Sequence, residues 1–198
     1  MDDQIWLSIA NSKRIFDEAD ALAEALQDCL AEVRPAIEPE TFYEEGYEPD
    51  EWTTTAYLLA HLVRKTPGLP ASGGHVTFLI SLWRPEDEQG VSWSAARQAK
   101  LYVGFQPSAR VDGWTMETLC IDGDGNSIKA KPGSDFLWHG TGSETMRRAW
   151  FFCVRLAGLE NRDEVRREII DPLTRLFANV PEKEAFAGCE ATIPVPKN

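Results

Sequence analysis

The period of the hydrophobic pattern changes twice along the chain, and these changes limit the fold more than any other feature of the sequence. Apolar residues recur every three or four positions over residues 12–34, alternate with polar residues from position 53 onward, and return to the longer period over residues 161–178. The longer period indicates amphipathic helix and the alternation indicates strand. We therefore predict an α+β fold, an antiparallel sheet of about five or six strands with an N-terminal and a C-terminal helix packed on it.

The first predicted helix covers residues 12–34. Ser12 is a suitable N-cap, and Pro35 ends the helix because its ring and missing N–H cannot continue it. The acidic side chains lie largely off the apolar stripe, so the opposite face of the helix is expected to meet solvent. The predicted stripe consists of Ile15, Ala19, Leu22, Leu26, Cys29, Leu30 and Val33.

The second predicted helix covers residues 161–178. Asn161 is its predicted N-cap, with Glu164 at capping-box spacing. Pro172 interrupts the pattern, which is consistent either with a kink or with a new helix capped by Asp171. The tail over residues 181–198 contains three prolines, and we expect it to be irregular.

Several segments between the helices predict strands. Residues 75–84 and 100–106 alternate clearly, with Val76, Phe78, Ile80 and Leu82 on one face of the first. Further predicted strands are residues 136–138 and a hairpin that joins 114–121 to 127–131 through the turn sequence DGDGN. Residues 53–64 and 148–156 fit either a strand or a buried helix.

Charge is distributed very unevenly along the 198 residues, a length that suits a single domain. The first 51 residues hold 15 acidic and 3 basic residues, which equals the net charge of −12 of the whole chain. The remaining residues hold 17 of each sign and are neutral. The acidic balance argues against binding to nucleic acid or to anionic membrane, both of which require excess positive charge. The neutral remainder could still carry a local basic patch on the last helix, for instance Arg162, Arg166, Arg167 and Arg175.

Residues 35–52 combine seven acidic residues with aromatic ones, and Pro39, Gly46 and Pro49 indicate a loop there. Carboxylates would attract a basic protein surface and the aromatic rings would anchor it. The alternative is a solvated loop that only aids solubility. The predicted partner-binding residues are Phe42, Tyr43, Glu44, Glu45, Tyr47, Glu48, Asp50, Glu51 and Trp52.

A second candidate site is the glycine-rich segment over residues 138–148. Its backbone N–H groups could hold an anion, and a pocket there would use His139, Ser143, Arg147 and Trp114. The spacing matches neither a phosphate-binding loop nor a hydrolase nucleophile elbow, and the histidines and cysteines lack metal-ligand spacing. We therefore predict no catalytic residue, no metal and no cofactor.

The charge distribution favours a non-enzymatic, cytoplasmic protein that binds a basic protein partner. An immunity-type inhibitor, a nucleic-acid mimic and a chaperone-like protein all fit this description. One alternative is a small-molecule-binding or hydrolytic enzyme with its site near residues 138–148. Another is a structural subunit whose tryptophan-rich strands form an interface. No segment is long and apolar enough to suggest a membrane span, and the sequence leaves the oligomeric state open.

Overall fold

The computed structural model describes residues 2–32, 37–47, 56–63, 74–81, 99–107, 128–140 and 148–195. Within them the helices are α1 (Asp2–Glu32), α2 (Arg162–Val165), α3 (Asp171–Phe177) and α4 (Glu182–Ala185). The strands are β1 (Ile37–Tyr47), β2 (Ala56–Val63), β3 (Gly74–Ser81), β4 (Lys100–Gln106), β5 (Ile128–Ala130), β6 (Trp138–Gly140), β7 (Trp150–Arg155) and β8 (Thr192–Ile193). This arrangement confirms the predicted α+β class.

The strands form one antiparallel sheet in the order β1-β2-β3-β4-β7-β6-β5, with β8 also paired to β7. Strands β1 to β4 follow one another as a meander, and β7 then pairs with β4. The late strand β7 therefore lies in the middle of the sheet. Five strands have at least six residues, in agreement with the predicted size, and β5, β6 and β8 are short.

Both segments of ambiguous pattern are strands. Residues 53–64 contain β2, and residues 148–156 contain β7, which leads into a 3₁₀ turn at Leu156–Gly158. Each lies between two other strands of the sheet. The predicted strand at 100–106 coincides with β4. Strand β5 pairs with β6, and its predicted hairpin partner at 114–121 lies outside the described residues.

The strand predicted at residues 136–138 begins two residues later, at Trp138. A turn occupies the preceding residues because the side chain of Glu182 holds them. Glu182 Oε1 accepts hydrogen bonds from Ser134 Oγ at 2.7 Å, from the Asp135 N–H at 2.8 Å and from the Phe136 N–H at 2.6 Å. The first three residues of the predicted glycine-rich loop are consequently strand, not loop.

The centre of the sheet is buried on both faces. Val76, Phe78 and Ile80 of β3 belong to the core cluster that includes buried residues of α1. Thr77 and Leu79, which point to the opposite face, are buried as well. Alternation in the sequence predicted the first set as an apolar face, but it did not predict that the second face would also be covered.

Helix α1 begins at Asp2, so the predicted start at Ser12 is wrong. Asp2 and Asp3 favour an earlier start, because carboxylates near the first turn interact well with the helix dipole. Ala19, Leu26, Cys29 and Leu30 of the predicted stripe are buried, and Leu22 is half-buried. Ile15 is exposed, and the buried side chains in the described part of α1 begin at Ala19.

The second helix is continuous over residues 162–177, with the prediction at its N-terminus confirmed. Asn161 Oδ1 accepts from the Glu164 N–H at 3.1 Å, and Glu164 Oε2 accepts from the Glu160 N–H at 2.7 Å. A π-helical turn, Arg166–Ile170, joins α2 to α3 directly before Pro172. The wider turn accommodates the proline, and Asp171 continues the helix instead of capping a new one.

The segment predicted as an irregular tail is ordered through residue 195 and contains α4 and β8. Ala185, Phe186, Ala191, Ile193 and Val195 are buried. The Val195 N–H donates to the Asp135 carbonyl at 2.8 Å, and β8 pairs with β7. Proline content alone predicted irregular structure, whereas burial of these apolar side chains fixes the segment.

Candidate protein-binding surface

Part of the predicted acidic loop is the strand β1. Phe42, Tyr43, Glu44, Glu45 and Tyr47 lie within it, while the other predicted contacts lie outside the described residues: Glu48, Asp50, Glu51 and Trp52. The loop prediction is therefore corrected for residues 37–47. Strand β1 pairs with β2, with Glu44 opposite Leu59 and Glu45 opposite Leu58.

Position in the sheet explains why a segment with proline and glycine forms a strand. Pro39 falls where the β1–β2 register shifts, between the pairs that begin at Ile37 and at Thr41. Among the described strands, β1 is at one end of the order and has a single neighbour. Proline and irregular pairing are tolerated on such strands because one side of the backbone needs no partner strand.

Helix α1 contacts β1 and carries six exposed acidic side chains in its described part, which are Asp17, Glu18, Asp20, Glu24, Asp28 and Glu32. Two elements of the acidic N-terminal quarter of the sequence are thus in contact. We call α1 and β1 together the acidic surface. This contact is a tertiary result, because residues 33–36 separate the two elements in the sequence.

Ion pairs offset some of the acidic residues of α1. Within the helix, Arg14 Nε contacts Glu18 Oε1 at 2.7 Å and Lys13 Nζ contacts Asp17 Oδ2 at 3.3 Å. The Glu32 carboxylate binds both Arg162 Nη2 at 2.5 Å and Arg166 Nη1 at 2.9 Å. No residue that the structure describes forms an ion pair with Asp20 or Glu24.

The arginines of the second helix do not form an open basic patch. Arg162 and Arg166 bind Glu32, and Arg167 Nε contacts Glu168 Oε1 at 2.9 Å. Arg175 Nη1 donates to the carbonyl oxygens of Glu184 and Ala185 at 3.4 and 3.2 Å. All four guanidinium groups already have partners within the chain, although a count of basic residues would have suggested a surface for an anionic ligand.

Of the alternative pocket, the structure describes one residue. His139 is half-buried in β6, opposite Lys129 and Trp150. Ser143, Arg147 and Trp114 lie outside the described residues, so the pocket stays a prediction. Within the described ranges no three His, Cys, Asp or Glu side chains are close enough together to hold a metal ion.

A groove that the sequence analysis missed runs between α1 and the residues that lead into α2. Its volume is about 880 Å³, and its apolar lining includes Ile15, Leu22, Ala25, Leu156 and Leu159. Arg14, Glu18, Glu160 and Arg162 lie along the same groove. Ile15 was assigned to the core stripe from its spacing, and only tertiary structure shows that nothing in the described chain covers it.

No known protein family, curated protein or solved structure matches this chain. Among the described helices, none combines the length and apolar character needed to cross a bilayer.

Proposed function

We propose that this protein is a non-enzymatic binding protein that uses the acidic surface to bind a basic protein partner in the cytoplasm. The observation that carries the proposal is the contact between α1 and β1, the two elements that hold most of the acidic residues in the first quarter of the chain. Several closely spaced carboxylates raise the rate at which a positively charged partner is captured. In the cytoplasm the thiols of Cys29 and Cys153, both enclosed in the core, would stay reduced.

The distribution of ion pairs supports a binding role for a particular part of this surface. Asp28 and Glu32 face Arg162 and Arg166, so their charge is used within the molecule. Asp20 and Glu24 are exposed and have no ion-pair partner among the described residues. We therefore place the centre of the proposed contact at Asp20, Glu24 and the neighbouring strand β1.

The end position of β1 supports recognition of an extended segment of the partner. A strand with one neighbour offers backbone N–H and C=O groups for pairing, which is a recurrent mode of peptide recognition. The acidic residues of β1 disfavour pairing with a second acidic β1 and favour a basic strand. Charge would thus select the partner, and the backbone would supply hydrogen bonds.

The test is affinity capture from an extract of the source cells at low ionic strength, followed by identification of the captured proteins. The test variant combines Glu24→Gln, Glu44→Gln and Glu45→Gln. The control removes three exposed carboxylates elsewhere, through Asp163→Asn, Glu184→Gln and Glu190→Gln. Both variants have the same net charge, so a difference between them reports the position of the charge.

The proposal expects a basic protein that the wild type and the control retain and that the test variant loses. Binding of that protein, once purified, should weaken as salt is raised, because the interacting charges are exposed. Equal retention by the test variant and the control would overturn the proposal, as would capture of acidic proteins alone.

A further inference from the structure

The described side chains in the N-terminal half of α1 meet solvent. Every described side chain before Ala19 is exposed, including two large apolar ones, Leu7 at 62% and Ile15 at 43%. Solvent-exposed apolar side chains are ordinary when single, but Ile15 lines the groove described above, and Leu7 lies about two helical turns before Arg14, where the lining on α1 begins. The exposed side of α1 therefore continues from the groove toward the N-terminus.

One face of α1 carries a regular seam. Leu7, Asn11, Arg14, Glu18, Ala21 and Ala25 are spaced alternately by four and three residues, the spacing of helices that pack side by side. Four of these residues, Arg14, Glu18, Ala21 and Ala25, also line the groove. The groove extends along α1 from Arg14 to Ala25, about 17 Å at 1.5 Å per residue, enough for about three turns of a second helix.

The seam is complementary to itself in the antiparallel direction. If two copies of α1 cross at residue 16, Arg14 of each lies opposite Glu18 of the other, and Leu7 lies opposite the small Ala25. The remaining seam positions, Asn11 and Ala21, also face each other. Every seam residue then has a partner, because one two-fold axis relates both helices.

We propose that a second copy of this chain occupies the groove, so that the protein is a homodimer with antiparallel α1 helices. The N-terminal half of each α1 covers the groove of the other copy, and Leu7 and Ile15 leave solvent. Each Arg14 exchanges its contact with Glu18 of its own helix for Glu18 of the second copy. The intrahelical pair is largely exposed, with side chains 78% and 62% accessible, so the exchange costs little.

Charge favours a second copy over a basic partner as the occupant. Two basic and two acidic residues, Arg14, Arg162, Glu18 and Glu160, lie along the groove. A groove lined by equal numbers of basic and acidic residues does not select a basic protein. An antiparallel second copy, in contrast, places each Arg14 opposite a Glu18. Asp20 lies about 140° around α1 from the middle of the seam, on the opposite side, so the dimer leaves this carboxylate of the proposed partner surface open.

The test uses two charge reversals, Arg14→Glu and Glu18→Arg, in the full chain. Sedimentation analysis over a concentration series should give the wild type twice the 22.2 kDa chain mass. Each reversal alone places two pairs of like charges at the interface. The dissociation constant of its dimer should therefore be at least about tenfold higher than that of the wild type. An equimolar mixture of both variants should form a heterodimer, which native mass spectrometry resolves by mass.

A second seam variant and a control complete the design. Leu7→Asp should also give monomer, whereas Asp20→Lys, on the opposite side of α1, should leave the dimer intact. Circular dichroism establishes that α1 is retained in each variant. A wild type that stays monomeric at all concentrations would overturn the proposal. So would a dimer that neither reversal weakens, or a mixture of the two reversals that fails to associate.

Discussion

Two carboxylates near the C-terminus are held by hydrogen bonds, and the more buried belongs to Glu168. Its side chain is fully buried in the π-helical turn. Glu168 Oε2 accepts from the Ala191 N–H at 2.8 Å, and Oε1 accepts from the Glu190 N–H at 3.1 Å and from Arg167 Nε at 2.9 Å. With Glu182, it connects the C-terminal segment to the rest of the fold.

We expect Glu168→Gln to lower the free energy of unfolding by about 1–3 kcal/mol, because one amide N–H₂ would then face a backbone donor without an acceptor. Urea denaturation measures the change. The control, Glu184→Gln, removes an exposed carboxylate and should be nearly neutral. A loss of similar size in both variants would contradict the role assigned to Glu168.

Cys189 is the most exposed of the three described thiols, yet burial, together with the charge of Glu168, raises its pKa to about 11. The folded state therefore favours the neutral thiol, and the stability that this contributes is lost as pH rises toward 11. We expect slow alkylation of Cys189 at pH 8, with the rate rising about tenfold per pH unit as thiolate forms. Peptide-resolved mass spectrometry measures it, and labelling at pH 8 as fast as in the denatured chain would contradict the prediction.

At the scale of elements, α1 is joined to the second helix by two kinds of contact. Leu26 and Leu30 are completely buried in the core, while Arg162 and Arg166 bind Glu32 at the surface. All three side chains of this ion-pair cluster are more than 40% exposed, so water and salt weaken the pairing. The apolar contacts should therefore hold the helix in place.

Comparison of two neighbouring variants of α1 tests this. We expect Leu30→Ala to cost about 2–5 kcal/mol of unfolding free energy through lost burial and a cavity. Glu32→Gln should cost at most about 1 kcal/mol. Both values come from urea denaturation at moderate salt. If Glu32→Gln were the more damaging change, the ion pairs would be the stronger contact.

At the scale of the whole molecule, the C-terminal segment packs against the middle of the chain. Phe186 packs its ring at 4.9 Å from that of Phe136 and at 5.0 Å from that of Phe152, measured between centroids. It thereby joins α4, the turn before β6 and the central strand β7. Glu182 and β8 fix the same segment through hydrogen bonds.

We expect Phe186→Ala to destabilise the protein by about 3–5 kcal/mol, since it leaves a large cavity where three elements meet. Thermal unfolding followed by near-ultraviolet circular dichroism measures the effect. Ala187→Ser, at the exposed neighbouring position, is the control and should leave the midpoint nearly unchanged. A chain insensitive to Phe186→Ala would mean that residues 181–195 are dispensable for the fold.

Local pattern by itself determined the class of fold, because hydrophobic period depends only on neighbours along the chain. It located β4, the N-cap at Asn161 and the packed half of α1, and it assigned the acidic charge to the first quarter of the sequence. Residue composition gave wrong predictions at two places where strand pairing or burial determines the structure. Pro39 and Gly46 indicated a loop, yet pairing with β2 makes β1 a strand, and prolines in the tail masked a segment held by buried apolar residues.

Tertiary structure alone decided which surfaces stay open. Ile15 repeats at core spacing, but it is exposed in the described fold. Arg162 and Arg166 were a candidate basic patch until the fold placed Glu32 beside them. The sequence pattern indicates which side chains would be stabilised by burial or by a counter-charge. Only the packing of distant segments determines which of these side chains are buried or paired.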